Sequence, residues 1–431
     1  MQNKNHFLFS FLRDRHSSAK LFFVSHASQA RYKLLGCRYS RSGKKTKYLV
    51  FCFTFRSLIR TLTSSKILPL GQENEILGIL FYFPLAYSYL CNQINDTAMM
   101  TENKYLKQFP DVMTGKKVMY VHGFGSSAST GTVDRLRKVL CNATVIAEDM
   151  PLDPHEALAL LRRMCETEQP DLIIGTSMGG MYTEMLYGYD RIVLNPAFKI
   201  GETMVEHGMT GAQTFFNPRK DGVQKFFVDN NLVKEYKRVT EQCFCGVDDN
   251  ERRRVWGLFG DQDDLVDTFG LFHQHYPNAI HFHGGHRMDE RSYMHAVLPV
   301  VRWIDDLQES RERPVVMITQ DSVRDAFGQA RSSAQKAFRR LIETYEVFLV
   351  APAAFNGRKE MAEVIDWMED IFDAPAYNHV VFSNQLHLLM GDYLVDTADC
   401  DRFMGTVIRL GSDSFKTWEQ IIEYFDRLGG Q

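Results

Sequence analysis

The stretch DLIIGTSMGGMYTEML, from Asp171 to Leu186, limits what this chain can fold into more than any other. Three apolar residues, too few for a helix, run into Gly175-Thr176-Ser177-Met178-Gly179, and apolar residues at helical spacing follow. That order predicts a buried strand, a sharp turn and a helix. A serine at such a turn sits on strained backbone with its hydroxyl exposed. Gly175 and Gly179 are small where strand and helix backbones must approach closely. The turn lacks the Gly-Lys-Ser/Thr ending of a phosphate loop.

The same rhythm continues on both sides. KVMYVHG reads as a short buried strand and STGTVDRLRKVL as a helix. TVIAEDM and DPHEALALLRRMCE repeat the unit, with Asp153 as an N-cap. RIVLNPA, RRVWGLFG and AIHFHGG add strands, and YMHAVLPVVRWIDDL closes with an amphipathic helix. Such alternation predicts a parallel sheet covered by helices. Residues 199–250 interrupt it with an aromatic and basic insertion that reads as a cap. Its Phe215, Phe216, Phe226 and Phe227 suit either an apolar acyl site or ordinary cap core. The charged QESRERP, Gln308 to Pro314, reads as a linker between a domain over 112–308 and a smaller one over 314–431. In the latter, PVVMIT, VFLVAP and HVVFS predict a second, Rossmann-like parallel α/β layer.

The beginning of the chain differs from the rest. Residues 1–100 hold 14 Lys+Arg against 4 Asp+Glu, whereas the remainder holds 36 against 49. That acidic remainder gives no electrostatic footprint for nucleic acid. The leader shows no sustained helix or strand period. Its longest apolar run, Ile76 to Leu90, spans fifteen residues with Pro84 inside, short of the roughly 20 needed to cross a bilayer. It also lies too far along the chain for a signal peptide. Met99 and Met100 precede an amphipathic lead-in. Residues 1–98 are therefore read as a basic leader, unstructured or upstream of the true start. The 8 cysteines are scattered without a disulfide framework, and Cys243-x-Cys245 is too closely spaced for a zinc knuckle. Reduced thiols and a cytoplasmic setting are expected.

A serine nucleophile needs a base, and the base an orienting carboxylate. With this type of turn the chain order is serine, then acid, then histidine. The strand VWGLFG ends in DQDDLVD, which offers Asp261, Asp263, Asp264 and Asp267. The spacing Gly260-x-x-Asp263-x-x-Val266 favours Asp263 as the acid, with Asp261 the alternative; the others suit a solvated acidic turn. NAIHFHGGHRMDE then offers His281, His283 and His286. His286, after Gly284-Gly285, stands on a loop beyond the strand, where a base could reach the serine. His281 and His283 alternate with apolar residues and read as packed, and His295 on the closing helix reads as structural. Two backbone N–H groups should form an oxyanion hole: that of Met178, after the nucleophile, and that of Phe124, in the loop VHGFGSS. His122 reads as shaping that loop. No metal ligand set and no cofactor are expected.

MYVHGFGSSASTGTVDRL, IIGTSMGGMYTEML, IVLNPAFKIGE and GGHR resemble the YqiA/YcfP-like α/β-hydrolases, small bacterial esterases, over about residues 116–308. The resemblance implies an esterase or thioesterase acting on small acyl substrates, with Ser177 and His286 carrying over directly. The C-terminal part, above all GDYLVDTADCDRF, resembles the back half of 5'(3')-deoxyribonucleotidases of the haloacid dehalogenase superfamily. Against that family's pattern, Thr319 stands at the aspartate nucleophile and only Asp321 of the first pair remains. Leu349-Val350, Leu386 and Asp396-Thr397 fall where a hydroxyl, a lysine and an acidic pair belong. Without a carboxylate nucleophile no aspartyl-phosphate forms. The expectation is a serine esterase or thioesterase joined to a pseudo-phosphatase domain. The alternative is a non-catalytic binding or regulatory protein built on both folds.

Overall fold

The structure is a computed structural model. It describes residues 7–13, 18–25, 31–38, 109, 111–353 and 358–428. The chain divides into two compact units, Met1–Ile94 and Asn95–Gln431.

In the first unit β1 (Phe7–Arg13), β2 (Ser18–Ser25) and β3 (Arg31–Arg38) form an antiparallel sheet with β2 in the middle. These strands lie within the stretch read from the sequence as a leader, unstructured or upstream of the true start. Runs such as FLFSFLR are rich in aromatic and aliphatic residues that favour extended backbone, although they show no clear alternation to announce it. The apolar run Ile76–Leu90 and the pair Met99-Met100 lie outside the described residues.

The second unit holds two parallel sheets. The first runs β11-β10-β7-β6-β4-β5, from β4 (Lys117–Val121), β5 (Thr144–Ile146), β6 (Leu172–Thr176), β7 (Arg191–Leu194), β10 (Val255–Gly260) and β11 (Ala279–Phe282). Each neighbouring pair is parallel. Its central strands β4, β6 and β7 are buried on both faces, which is why they read as continuous apolar runs. Val118, Tyr120, Leu172 and Ile174 enter one core, while Met119, Val121 and Ile173 enter the other. Helices Gly131–Val139, Pro154–Glu168, Met178–Glu184 and Leu298–Gln308 make the crossovers and the closing layer. Asp153 caps the second of these, accepting from the N–H groups of His155 and Glu156 at 2.9 and 3.0 Å. The closing helix is less regular than its sequence suggests. Residues 290–292 are α-helical, Tyr293–Val297 form a π turn, and the α-helix resumes at Leu298.

The insertion at 199–250 contains helix Ile200–Glu206, a hairpin of β8 (Gly211–Thr214) and β9 (Lys225–Val228), and helix Asn230–Thr240. The second sheet runs β14-β13-β12-β15-β16, all parallel. Its strands are β12 (Val315–Thr319), β13 (Glu346–Ala351), β14 (Val380–Phe382), β15 (Tyr393–Asp396) and β16 (Thr406–Arg409). The segment read as a linker is pinned: Arg311 and Arg313 pair with Asp306 at 3.0 and 2.6 Å, and Arg311 with Asp111 at 3.1 Å. Arg302 reaches across from the closing helix to the carbonyl of Tyr345 (2.9 Å) and the carboxylate of Glu346 (2.7 Å). Both sheets lie in the one compact unit Asn95–Gln431.

Candidate active site

Five loops at the carboxyl ends of β4, β6, β7, β10 and β11 converge, the usual place for a site in a parallel sheet. At the end of β6, Ser177 adopts φ 58° and ψ −122°, backbone that a non-glycine residue holds only when its surroundings enforce it. The enforcement is local. Ser177 N–H donates to the Leu194 carbonyl at 2.9 Å, and its own carbonyl accepts from Ala197 at 3.0 Å. A Cβ at Gly179 would sit 2.1 Å from the carbonyl oxygen of Val121, and one at Gly175 would sit 2.2 Å from Thr183 Oγ1. Both glycines are therefore obligatory for the helix to meet the strand this closely.

His286 Nε2 lies 3.0 Å from Ser177 Oγ, and His286 Nδ1 lies 2.8 Å from Asp263 Oδ2. The carboxylate can only accept, so Nδ1 carries the proton and Nε2 faces the serine hydroxyl with its lone pair. The Asp263 side chain is only 3% exposed, and its other oxygen accepts from the N–H groups of Leu265 and Val266 at 2.9 and 3.0 Å. Burial works against its ionisation. The hydrogen bond from His286, the charge that ring carries when protonated, and those two N–H groups outweigh that burial and hold the carboxyl below its ordinary range.

Asp261, the alternative acid, is engaged elsewhere. It accepts from His283 Nδ1 at 2.7 Å and from Gly284 N–H at 3.0 Å. Asp264 and Asp267 are exposed. His283 lies just past the end of β11, and its Nε2 donates to the Asp370 carbonyl at 2.9 Å. His281 occupies an exposed position on β11 and stacks on Phe269, ring centroids 4.0 Å apart. Both are engaged away from the serine. His122 is buried, with Nδ1 donating to the Gly123 carbonyl (2.9 Å) and Nε2 accepting from Met150 N–H (3.1 Å). Burial holds its pKa down, so it braces the loop as a neutral ring.

That loop lies against the nucleophile: a Cβ at Gly123 would be 3.3 Å from Ser177 Cβ. Among the described residues the backbone N–H groups of Phe124 and Met178 make no hydrogen bond to the protein. The cap closes over the same loop. Phe226 packs edge-on to Phe124 at 5.4 Å and against Phe215 at 4.4 Å, while Phe216 N–H donates to the Gly125 carbonyl at 2.7 Å. Phe227 and most of Phe216 remain exposed.

Sequence reasoning missed Asn195. At φ 43° just past β7, its Nδ2 donates to the carbonyls of Gly285 (3.1 Å) and His286 (3.2 Å), and its Oδ1 accepts from Gly260 N–H (2.7 Å). One buried amide thus ties the loop of the base to the strand end that carries the acid. The Asn-Pro pair after RIVL was its sole trace in the sequence.

The family described as "Uncharacterised protein family (UPF0227)" matches residues 117–290, fewer than half of the chain and the span that carries this whole constellation. No curated protein matches the chain. Among solved structures, it is similar to Est1E from Butyrivibrio proteoclasticus, at 18% identity over 47% of this chain and 90% of that one, TM-score 0.31. It is also similar to the esterase domain of a Rhodothermus marinus protein, at 15% identity over 47% and 88%, TM-score 0.31. An esterase (EaEST) from Exiguobacterium antarcticum gives 14% identity over 45% and 93%, TM-score 0.29. Among the described residues no helix is long and apolar enough to cross a membrane.

Proposed function

We propose that this chain is a serine hydrolase that cleaves a small-molecule acyl ester or thioester. The observation that carries the reading is the unbroken hydrogen-bonded line Ser177–His286–Asp263, beside two unpaired backbone N–H groups. His286 Nε2 takes the proton of Ser177 Oγ as the oxygen attacks the acyl carbon. The N–H groups of Phe124 and Met178 receive the negative charge that develops on the carbonyl oxygen. His286 then returns the proton to the leaving alcohol or thiol. Water, activated by the same ring, attacks the acyl-serine and regenerates the enzyme. Asp263 holds the ring in the required tautomer and stabilises the imidazolium. Phe124, Phe215 and Phe226 supply an apolar wall for the acyl part. The free thiols Cys141, Cys165, Cys243, Cys245 and Cys400 suit a reducing, cytoplasmic setting.

We read the second sheet as a phosphatase-like layer without phosphatase chemistry. At the ends of its central strands Thr319 Oγ1 donates to Asp396 Oδ1 at 2.8 Å and is buried. A hydroxyl occupied in this way is no substitute for a carboxylate nucleophile.

The test is covalent labelling with a fluorophosphonate, followed by turnover of a panel of p-nitrophenyl esters and acyl thioesters. The native chain should label at Ser177 and turn over short acyl esters; Ser177→Ala should do neither, losing about 10⁴-fold or more in kcat. A folded native chain that neither labels nor turns over would favour a binding role instead.

A further inference from the structure

A cavity of about 740 Å³ opens at the seam of the two sheets, and none of the residues lining it belongs to the Ser177 site. On one side it is lined by Met294 and His295 of the π turn, and on the other by Arg331, Lys336, Arg339 and Arg340. A volume of this size suits a small organic ligand. Four basic side chains on one wall demand a counter-charge.

Among the described residues, a carboxylate pairs with only one of them. Arg340 pairs with Glu343 and with Asp426, the latter at 2.8 Å. Arg331 directs its Nε to the Asp321 carbonyl at 2.7 Å, which satisfies a donor but leaves the charge uncompensated. Lys336 and Arg339 have no carboxylate within 4 Å among the described residues; Asp373 acts on Arg339, and Glu419 on Lys336, only from farther away. Arg339 is also half-buried, and Arg291 adds a like charge beside it. An unpaired, partly desolvated guanidinium next to another cation is a costly arrangement. A bound anion relieves it.

Two further features point the same way. His295 Nδ1 is buried without a hydrogen-bond partner, and burial with Arg339 and Arg291 pushes that ring's pKa down to about 4. It is a neutral polar group left open beside the cations. The helix Ala334–Leu341 begins at the cavity, where Ser332, Ser333 and Gln335 form part of the wall, so its first-turn N–H groups add positive potential. The remaining wall is apolar at Phe109, Met294, Ala330 and Ile342 and carries one carboxylate, Glu343, which pairs with Arg340.

We propose that this cavity binds a small organic phosphate, with the phosphate held by Arg331, Lys336 and Arg339 and the organic part set against Phe109, Met294 and Ile342. Arginine and lysine together on one wall of a cavity match a phosphate group better than a lone carboxylate. A nucleic-acid strand is disfavoured by the acidic balance of the chain after residue 100, 36 Lys+Arg against 49 Asp+Glu.

The experiment is calorimetric titration of the full chain at constant ionic strength with AMP, adenosine and inorganic phosphate. AMP should bind, inorganic phosphate should bind more weakly, and adenosine should not bind detectably. Arg339→Gln and the exposed-site variant Lys336→Gln should each weaken AMP binding by about tenfold or more, with unchanged far-ultraviolet circular dichroism. Ser177→Ala should bind as the native chain does. Equal binding of inorganic phosphate and AMP would remove the organic part of the proposal. Failure of both phosphates to bind the native chain, or AMP affinity unchanged in both variants, would overturn it altogether.

Discussion

At the residue scale, the two candidate acids separate by what each one holds. Asp263 is buried and bonded to His286, whereas Asp261 is bonded to His283 and Gly284. Asp263→Asn keeps the shape but presents an amide to Nδ1, favouring the wrong tautomer; kcat for ester turnover should fall about 10⁴-fold. Asp261→Asn should stay within about tenfold of the native rate. Equal losses in steady-state kinetics would show that the acid has been misassigned. Asn195 gives a second test, because it touches neither nucleophile nor substrate and acts through the loops it ties. Asn195→Asp retains the acceptor for Gly260 but loses both donors to Gly285 and His286. A base displaced by about 1 Å can cost about 10²-fold, so kcat should drop on that scale with KM little changed. Loss of KM alone would place Asn195 in substrate binding instead. The contrast between these residues shows what a sequence can reveal. Ser177, Asp263 and His286 are legible because each stands at a strand end in the required chain order. Asn195 is not, since an asparagine after a strand reads as a turn residue and its partners lie 65 to 91 positions away.

At the scale of elements, the strand–helix rhythm was legible because strands buried on both faces must be continuously apolar. Three features were not. The β8–β9 hairpin hid in a mixed aromatic and basic stretch, the closing helix concealed its π turn, and the pairs of His283 depend on a helix far along the chain. That helix, Arg358–Phe372, receives His283 through the Asp370 carbonyl. Both ring nitrogens of His283 face acceptors, Asp261 on one side and Asp370 on the other, an arrangement that favours the protonated ring. The hydrogen bonds from Asp261 and the Asp370 carbonyl raise the pKa of His283, with Asp373 adding its charge. A raised pKa contributes stability that is complete below the ordinary histidine value near ~6.5 and is lost as pH rises through the raised folded value. Amide exchange in residues 360–372 should therefore quicken, relative to the helices of the first sheet, between pH 6 and pH 9 after correction for intrinsic rates. His283→Gln should abolish that change. An identical pH response in native and variant chains would rule out His283 as the clasp.

For the whole second unit, the question is whether its two sheets unfold together. Sequence composition suggested two domains and a charged linker, because charge runs usually mark solvated connections. Across the seam the structure places a buried arginine. Arg302, 2% exposed, donates to the carbonyls of Ile342 and Tyr345 and pairs with Glu346 at 2.7 Å. Glu346 also receives His379 Nε2 at 2.5 Å, and the His379 ring stacks on Trp303 with centroids 4.7 Å apart. Burial opposes the ionisation of Glu346, but His379 and Arg302 outweigh it and hold the carboxyl below its ordinary range. Such a carboxylate stabilises the seam above the unfolded glutamate pKa near ~4.3 and loses that contribution as pH falls through the folded value. Removing Arg302 leaves Glu346 with His379 as its remaining partner and takes the donor from the carbonyls of Ile342 and Tyr345, at a cost of about 1–3 kcal/mol for each polar group left unsatisfied. Because Arg302 joins the closing helix of the first sheet to β13 of the second, that loss should fall on their coupling as well as on overall stability. Native residues 99–431 should therefore melt at pH 7 in a single calorimetric transition, with near-ultraviolet circular dichroism and Trp fluorescence coincident. Arg302→Ala should melt earlier and in two steps, because each sheet keeps its own core. One unshifted transition in Arg302→Ala would mean that the coupling resides in the apolar contacts around Trp303 rather than in the arginine.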